Sequence, residues 1–408
     1  MSSGSFNPFR PGAGHRPPYL AGRRREVDEF ARLLGQEVIL ENVVLTGLRG
    51  VGKTVLLDTF KPPAIERGWW FVGADLSEST SISEDRLALR LLTDVAGVAS
   101  SIPLASRKTT RIGFAGDEIQ SRPCLDFDAL VGLYRQTPGL ASDKLRTVLD
   151  FVWQKMKGQG KRGIVFAYDE AQNLSDHAAK DEYPLALLLD VFQSLQKQDV
   201  PFMLVLSGLP TLFPKLVESR TFAERMFHVL FLDRLTDREC REAVVRPLRD
   251  RRSPVAMSDW LVAAIVRESG GYPYFLQFIA REIVDILLQV DKADKKTFAL
   301  AMESVVHKLD TDFFAGRWAR TTDRQQELLS VIARLPDCEN EFTVQQIVEL
   351  SQRLPGKPFR TSRVSQMLST LCDAGLVYRN RHGKYSFALP LLGRFITRQQ
   401  NQADREEP

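Results

Sequence analysis

Cysteine is scarce in this 408-residue chain: Cys124, Cys240, Cys338 and Cys372 stand far apart, with no C-x-x-C pair among them. That spacing suggests neither a zinc site nor a disulfide framework. Long apolar runs are missing too, and without eighteen consecutive apolar residues no bilayer-spanning helix is expected. The first residues lack the apolar stretch of a secretory signal, and residues 1–18 are instead rich in Ser, Gly and Pro, as suits a poorly ordered arm. These absences lead to the expectation of a cytoplasmic protein with no membrane partner. A strong charge of either sign is also lacking. The net charge of +4 is too small to imply a nucleic-acid partner, so the distribution of charge has to decide that question. What is present is an ordinary globular composition, 44% hydrophobic and 26% charged, over a length that points to two or three domains.

The stretch Gly47-Leu48-Arg49-Gly50-Val51-Gly52-Lys53-Thr54 fits G-x-x-x-x-G-K-[ST] at every fixed position. It follows the apolar Val43-Val44-Leu45 and leads into Val55-Leu56-Leu57, giving it a strand before and a helix start after. In that setting the glycines let backbone N–H groups converge on the α- and β-phosphates, Lys53 reaches the β- and γ-phosphates, and the Thr54 hydroxyl ligates Mg²⁺. A second apolar run, Ile164-Val165-Phe166-Ala167-Tyr168, ends in Asp169-Glu170. A strand buried on both faces of a parallel sheet tolerates acidic side chains only at its exposed end. There Asp169 is placed to hold Mg²⁺ and Glu170 to polarise an attacking water, the alternative being two helix-capping carboxylates. ATP and Mg²⁺ are therefore the expected cofactors.

Between and beyond these motifs the pattern alternates. Gly68-Trp69-Trp70-Phe71-Val72-Gly73-Ala74-Asp75 reads as a strand, 83–96 as a helix, 100–130 as an irregular insertion, and 142–157 and 185–196 as helices. Phe202-Met203-Leu204-Val205-Leu206 is another buried strand, ending at Ser207-Gly208. Ser207 is either a polar group beside the γ-phosphate or a turn serine. Arg220 and Arg225 then precede the strand-like 227–232. Arg225 is the favoured residue for completing a neighbouring subunit's site as an arginine finger, Arg220 the alternative. Helices take over with the capping box Thr236-Asp237-Arg238-Glu239, a helix closed by Gly270-Gly271, and Pro273 in the first turn of the next.

Two further boxes, Thr322-Asp323-Arg324-Gln325 and Thr343-Val344-Gln345-Gln346, open helices near the C-terminus. After Pro355-Gly356-Lys357-Pro358 comes a third helix, apolar at Val364, Met367, Leu368 and Leu371 and polar at Arg360, Arg363, Gln366 and Thr370. Alternating residues on either side of Asn380-Arg381-His382-Gly383 then signal a hairpin carrying Arg379, Arg381 and Lys384. Three helices and a basic hairpin are the layout of a winged helix-turn-helix, which serves DNA contact or protein interaction. From residue 357 to 398 eight Lys and Arg face one Asp, a local charge of +7 that exceeds the net charge of the chain.

These features together resemble the AAA+ superfamily, especially its origin-recognition-like and related bacterial and archaeal ATPases. The likeness runs from about residue 18 to 395. Gly47 to Thr54 matches Walker A and Asp169-Glu170 matches Walker B. Leu20-Ala21-Gly22-Arg23 is similar to the family's motif near the adenine, which sets the preceding Tyr19 at the nucleotide as well; Ser207 is similar to the sensor-1 position and Arg225 to the arginine-finger position. The resemblance implies an α/β fold, a P-loop NTPase (AAA+) parallel sheet with a helical lid plus a C-terminal winged helix-turn-helix domain. The implied division is an arm at 1–17, a core at 18–235, a lid at 236–317, the winged helix at 318–400 and a tail at 401–408. One departure is Gly270-Gly271-Tyr272-Pro273-Tyr274, which looks like the Gly-x-Pro lid segment of STAND-type ATPases, sets Pro273 at the nucleotide, and leaves a sensor-2 arginine to Arg281 if to any residue. Another is the long spacing from the P-loop to Asp169. The expectation is an ATP-hydrolysing switch that assembles with itself or a partner protein and binds DNA through Arg360, Arg363, Gln366, Arg379, Arg381 and Lys384. The alternatives are a STAND-like signalling or defence ATPase and a transposition-type regulator that recruits a partner enzyme.

Overall fold

The computed structural model describes residues 7–12, 14–100, 102, 124–250, 253, 255–289, 295–336, 338–381 and 383–406. The chain divides into two compact units, residues 25–46 with 56–231, and residues 1–24 with 47–55 and 232–408.

The first unit is an α/β sheet unit. In chain order its elements are α1 (Arg24–Leu33), β1 (Asn42–Gly47), α2 (Lys53–Glu66), β2 (Trp69–Val72), α3 (Glu84–Ala99), α4 (Phe127–Gln136), α5 (Ala141–Met156), β3 (Gly163–Tyr168), α6 (Pro184–Gln196), β4 (Phe202–Gly208), α7 (Leu212–Ser219), α8 (Ala223–Met226) and β5 (Phe227–Leu232). The strands lie in the order β2-β3-β4-β1-β5. β2 with β3, β3 with β4 and β4 with β1 pair in parallel, with Trp69 opposite Gly163, Ile164 opposite Phe202 and Val43 opposite Val205. Every residue of β1, β3 and β4 is buried, as a parallel sheet covered on both faces requires. At the edge, β5 instead alternates, leaving Val229 and Phe231 exposed. On one face the rings of Phe166, Phe192 and Phe202 interlock, with the apolar sides of α3, α4, α5 and α6 in the same core.

Local signals account for the helix starts. Ser83 caps α3 through Arg86 N, and Asp126 caps α4 through Ala129 N. The expected irregular insertion falls in part on residues 101 and 103–123, which lie outside the described residues. Its last residues are not irregular: Phe127 begins α4, where Leu130, Val131 and Tyr134 recur at helical spacing and are buried.

A polar group holds the amino end of the sheet. Asn42 is fully buried, its amide exchanging hydrogen bonds with Gln196 at 3.1 and 2.8 Å and accepting from Leu204 N at 2.7 Å. One side chain thereby ties β1 to β4 and to α6 with its polar atoms satisfied.

The second unit contains α9 (Asp237–Asp250), α10 (Asp259–Ser269), α11 (Pro273–Leu287), α12 (Lys295–Leu309), a π-helical turn at Asp310–Ala315, α13 (Gly316–Trp318), α14 (Asp323–Ala333), β6 (Phe342–Thr343), α15 (Val344–Ser351), α16 (Thr361–Asp373), β7 (Val377–Arg381), β8 (Lys384–Phe387) and α17 (Leu392–Glu406). Helices α9 to α12 make a helical lid. Helices α14, α15 and α16 with the antiparallel sheet β6-β8-β7 make a winged helix-turn-helix. Both capping boxes are formed, Thr322 with Gln325 and Thr343 with Gln346. Lid and winged helix are joined at α17. Arg398 pairs with Asp310 through both carboxylate oxygens, Arg394 donates to Glu339 at 2.9 Å and to the Arg267 carbonyl at 2.6 Å, and Phe395 stacks on Phe314 at 5.2 Å. The composition of residues 1–17 speaks for an unpacked arm, yet Phe9 is 2% exposed and Asn7 donates to Arg281 O and Asp285 on α11 at 2.8 and 2.7 Å. Burial of one aromatic ring anchors that segment.

Asn42→Ala leaves the buried Leu204 N–H without its acceptor and removes both hydrogen bonds to the Gln196 amide, which keeps its bond to Phe202 O. It is expected to lower stability by about 2–3 kcal/mol, read as a fall in urea midpoint with an unchanged slope. An unshifted midpoint would show that the sheet does not need this tie.

Candidate functional site

In the second unit the loop between β1 and α2 is shaped by its glycines. A Cβ on Gly47 would lie 2.4 Å from the Leu232 carbonyl oxygen, and Gly50 and Gly52 have φ of 78° and 92°, the left-handed region that glycine favours. The partners that hold the loop take its carbonyls. Lys53, 9% exposed, donates to Gly47 O and Leu48 O at 2.9 Å each. Arg23, 7% exposed, donates to Val51 O at 3.1 Å and Asp233 O at 2.6 Å. Tyr274 N, one residue past Pro273 in the first turn of α11, donates to Gly50 O at 3.1 Å. Holding a loop by its carbonyls is how a phosphate cradle keeps N–H groups for an anion.

The residues expected near a base lie in the same unit. Tyr19 donates from its hydroxyl to Glu242 at 3.1 Å under the Arg246 guanidinium, 4.6 Å from the ring centre. Burial, followed by that hydrogen bond, raises the Tyr19 pKa. Tyr19 and Leu20 line a cavity of about 350 Å³ with Arg10 and Arg16 of the arm. Gly22 has φ 65°, and a Cβ on Gly14 would lie 3.5 Å from the Thr54 methyl group, so the arm passes beside the start of α2. Val55 continues the first turn of α2. Arg281, the alternative lid arginine, is exposed and lies 3.6 Å from Asp285 on its own helix.

In the sheet unit the carboxyl ends of the parallel strands share one edge. Asp169, directly after β3, is 3% exposed and accepts from Glu170 N at 2.8 Å. Its charge is felt by two neighbours that sequence reading missed: Asp58 on α2 and Asp75 beyond β2 have raised pKa values, first from burial and then from Asp169. Asp75 had a signal in the sequence, an acid at the carboxyl end of a strand. Among the described residues no group of three or more acidic, His or Cys side chains stands close enough to hold a metal by itself. The oxygen donors and the mutual repulsion of these carboxylates nevertheless suit a hard divalent cation. Glu170 is exposed and adopts φ 52°, and its carboxylate accepts from the Gln172 amide. Ser207, at the tip of β4, is wholly buried, and its Oγ has no hydrogen-bond partner among the described residues. Arg225 is exposed on α8, whereas Arg220 is committed to Asp190 through two hydrogen bonds of 2.8 and 2.7 Å.

On the winged helix Arg360, Arg363, Gln366 and Arg379 are exposed and Lys384 is half-buried, while the Arg381 side chain lies outside the described residues. Arg363 donates to Gln366 at 2.9 Å on the outer face of α16. Of the eight cations counted from 357 to 398, Arg394 and Arg398 are occupied by Glu339 and Asp310.

A family described as AAA ATPase domain matches residues 19–217, and a domain of unknown function matches residues 311–396. An uncharacterized HTH-type transcriptional regulator of Methanocaldococcus jannaschii is 21% identical over 398 residues, 93% of this chain and 88% of that protein. The structure of a Walker-type ATPase of Pyrococcus abyssi superposes with a TM-score of 0.58 at 16% identity, covering 94% of this chain and 97% of that one. The ADP form of the Aeropyrum pernix ORC2 protein superposes with a TM-score of 0.54 at 17% identity, covering 97% and 98%. These likenesses establish the fold: an AAA+ type parallel sheet with its surrounding helices. Among the described residues no helix is long and apolar enough to cross a membrane.

The lid segment carries a pH signature. Tyr272, 5% exposed, has its pKa pushed up to about 12, first by burial and then by Glu339. Its folded value exceeds the unfolded one of roughly 10, so its contribution is complete below pH 10 and is lost as pH rises through about 12. Tyr272→Phe should therefore flatten the alkaline loss of stability while changing stability at pH 7 by no more than about 1 kcal/mol. An identical alkaline limb in melting curves of the two proteins would refute this.

Proposed function

We propose that this chain is an ATP-binding and ATP-hydrolysing switch whose winged helix binds DNA and whose assembly depends on nucleotide. The observation that carries the proposal is the loop of residues 47–54, which combines two left-handed glycines with a lysine whose ammonium lies on the loop itself. In this reading the backbone of Gly47, Leu48, Arg49, Gly50, Val51, Gly52, Lys53, Thr54 and Val55 receives the phosphates. Lys53 exchanges its two carbonyl partners for β- and γ-phosphate oxygens. Tyr19, Leu20, Gly22, Arg23 and Pro273 surround the base and the mouth of the site. Thr54 and Asp169 would hold Mg²⁺, which when bound supplies charge neutralisation for phosphoryl transfer. Glu170 orients the attacking water, the unpartnered Ser207 hydroxyl donates to the γ-phosphate, and an exposed Arg225 serves a neighbouring subunit. The match of residues 19–217 to an AAA ATPase domain supports this assignment.

DNA binding is supported by the exposed Arg360, Arg363, Gln366 and Arg379 on the winged helix, and by the helix-turn-helix regulator to which the chain is similar along most of its length. One observation favours a second reading, in which the winged helix restrains the ATPase in the manner of a signalling switch: Arg394 and Arg398 tie α17 to Arg267 O and Asp310 of the lid.

Lys53→Ala should abolish ATP binding in calorimetric titration, and Glu170→Gln should keep binding while turnover falls by about 100-fold or more. Normal turnover in Lys53→Ala would defeat the proposal. For the DNA part, Arg363→Ala should weaken binding to duplexes and reduce the salt slope by about 1. An unchanged slope would remove α16 from the interface. Arg394→Ala combined with Arg398→Ala should raise basal turnover under the second reading and leave it unchanged under the first.

A further inference from the structure

Glu170 is held by a side chain that lies outside the loop of residues 47–54. Gln172 follows it by two residues, past a left-handed Glu170, and its side chain reaches back so that the amide nitrogen donates to the Glu170 carboxylate. The orientation of that amide is fixed by chemistry. Leu209 N donates at 3.1 Å to Gln172 Oε1, so the oxygen must face Leu209 and the nitrogen must face Glu170. The strand tip is shaped to accept it: a Cβ on Gly208 would lie 2.6 Å from Gln172 Oε1. The backbone of the same residue is gripped from α7, where Lys215 donates to Gln172 O at 2.8 Å and to Ser175 Oγ at 2.6 Å. Burial lowers the Lys215 pKa, with Asp176 acting in the opposite direction. Asp176 in turn accepts from Ser219 Oγ at 2.6 Å and from the first N–H groups of α6 at 2.9 and 3.1 Å.

We infer that Gln172 is a positioning residue for Glu170, an amide clamp that fixes the water-orienting carboxylate relative to the tip of β4. The inference rests on the ATPase reading and deepens it. Its physical content is specific. A carboxylate on an exposed, three-bond side chain samples several rotamers, and one charge-assisted hydrogen bond from an amide locked at its other end confines it to one. The lock is Leu209, two residues beyond Ser207, so any movement of the β4 tip on contact with a γ-phosphate moves Glu170 as well. Gln172 touches no reacting atom and acts only through Glu170.

The test uses the full-length chain and four variants: Gln172→Ala, Gln172→Glu, Glu170→Gln, and the last combined with Gln172→Ala. Affinity for ATP, steady-state turnover and melting temperature are measured for each. Expected is a fall in kcat of about tenfold or more for Gln172→Ala, with KM and ATP affinity within about twofold and an unchanged melting temperature. Gln172→Glu keeps the acceptor for Leu209 N but loses the donor to Glu170, so it should lose kcat to the same extent. In the Glu170→Gln background Gln172→Ala should cost nothing further, because the group through which it acts is gone. Unchanged kcat in Gln172→Ala, full activity in Gln172→Glu, an additive loss in the double variant, or a loss that tracks ATP affinity and melting temperature would each overturn the inference. If the unaltered chain neither binds nor turns over ATP, the ATPase reading fails and takes the inference with it. If the unaltered chain turns ATP over and Gln172→Ala matches it, this inference alone is wrong.

Discussion

The central strands of the sheet are buried along their whole length on both faces, and that constraint decides where chemistry can occur. An unpaired charge within β1, β3 or β4 would cost several kcal/mol, so polar groups are confined to the two ends of the strands. The two ends are treated differently. At the amino end Asn42 spends its amide on Gln196 and Leu204. At the carboxyl end the hydroxyls of Thr46 and Ser207 are buried without a partner among the described residues, and Asp169 and Asp75 crowd one another. The amide at one end is satisfied, while the hydroxyls at the other have no partner among the described residues. By the register Leu45–Ser207 and Thr46–Gly208, Ser207 lies on one face of the sheet and Thr46 on the other. Only Ser207 shares the face of Ala167, the side to which alternation past Tyr168 would direct Asp169.

The second unit shows how local charge counts mislead. The stretch from residue 357 to 398 carries +7, but two of its arginines hold α17 against the lid and its neighbourhood. Arg398 meets Asp310 bidentately and Arg394 bridges a carboxylate and a carbonyl, geometries that favour arginine over lysine. These cations are bound up with the junction of lid and winged helix. Six cations remain, of which Arg363 lies on α16: the buried Val364, Met367, Leu368 and Leu371 fix that helix, so Arg363 and Gln366 face outward by periodicity alone.

Much of this was legible in the sequence because the determining interactions are short in range. The boxes at Thr322 and Thr343, the left-handed Gly270 closing α10, Pro273 opening α11 and the glycines of residues 47–52 each follow from neighbours within a turn. Continuous apolar runs likewise announced β1, β3 and β4. What could not be read lies between residues distant in the chain. Nothing near Asn42 predicts its partners 154 and 162 residues away. The pairing of Arg220 with Asp190, the burial of Phe9, and the grip of Lys215 on Gln172 belong to the same class. Helix α4 was missed for a different reason. Its start abuts a stretch with no hydrophobic period, and the cap at Asp126 has no glutamate three residues on to mark it.

The five residues from Gly270 to Tyr274 connect more than their length suggests. Gly271 O accepts from Leu235 N at 2.8 Å, Tyr274 N donates to Gly50 O at 3.1 Å, and a Cβ on Gly270 would lie 2.6 Å from Leu391 at the head of α17. One short segment thus touches the phosphate loop on one side and the last helix of the winged helix on the other. The Gly50 carbonyl sits in a glycine-defined turn, where a change of peptide orientation meets little steric resistance. Each hydrogen bond in the segment is worth about 0.5–1.5 kcal/mol net. Breaking two would bias a lid equilibrium by about 1–3 kcal/mol, a shift of roughly five- to 150-fold. Contacts of that size can shift populations of the lid and winged helix; they are too weak to lock either state.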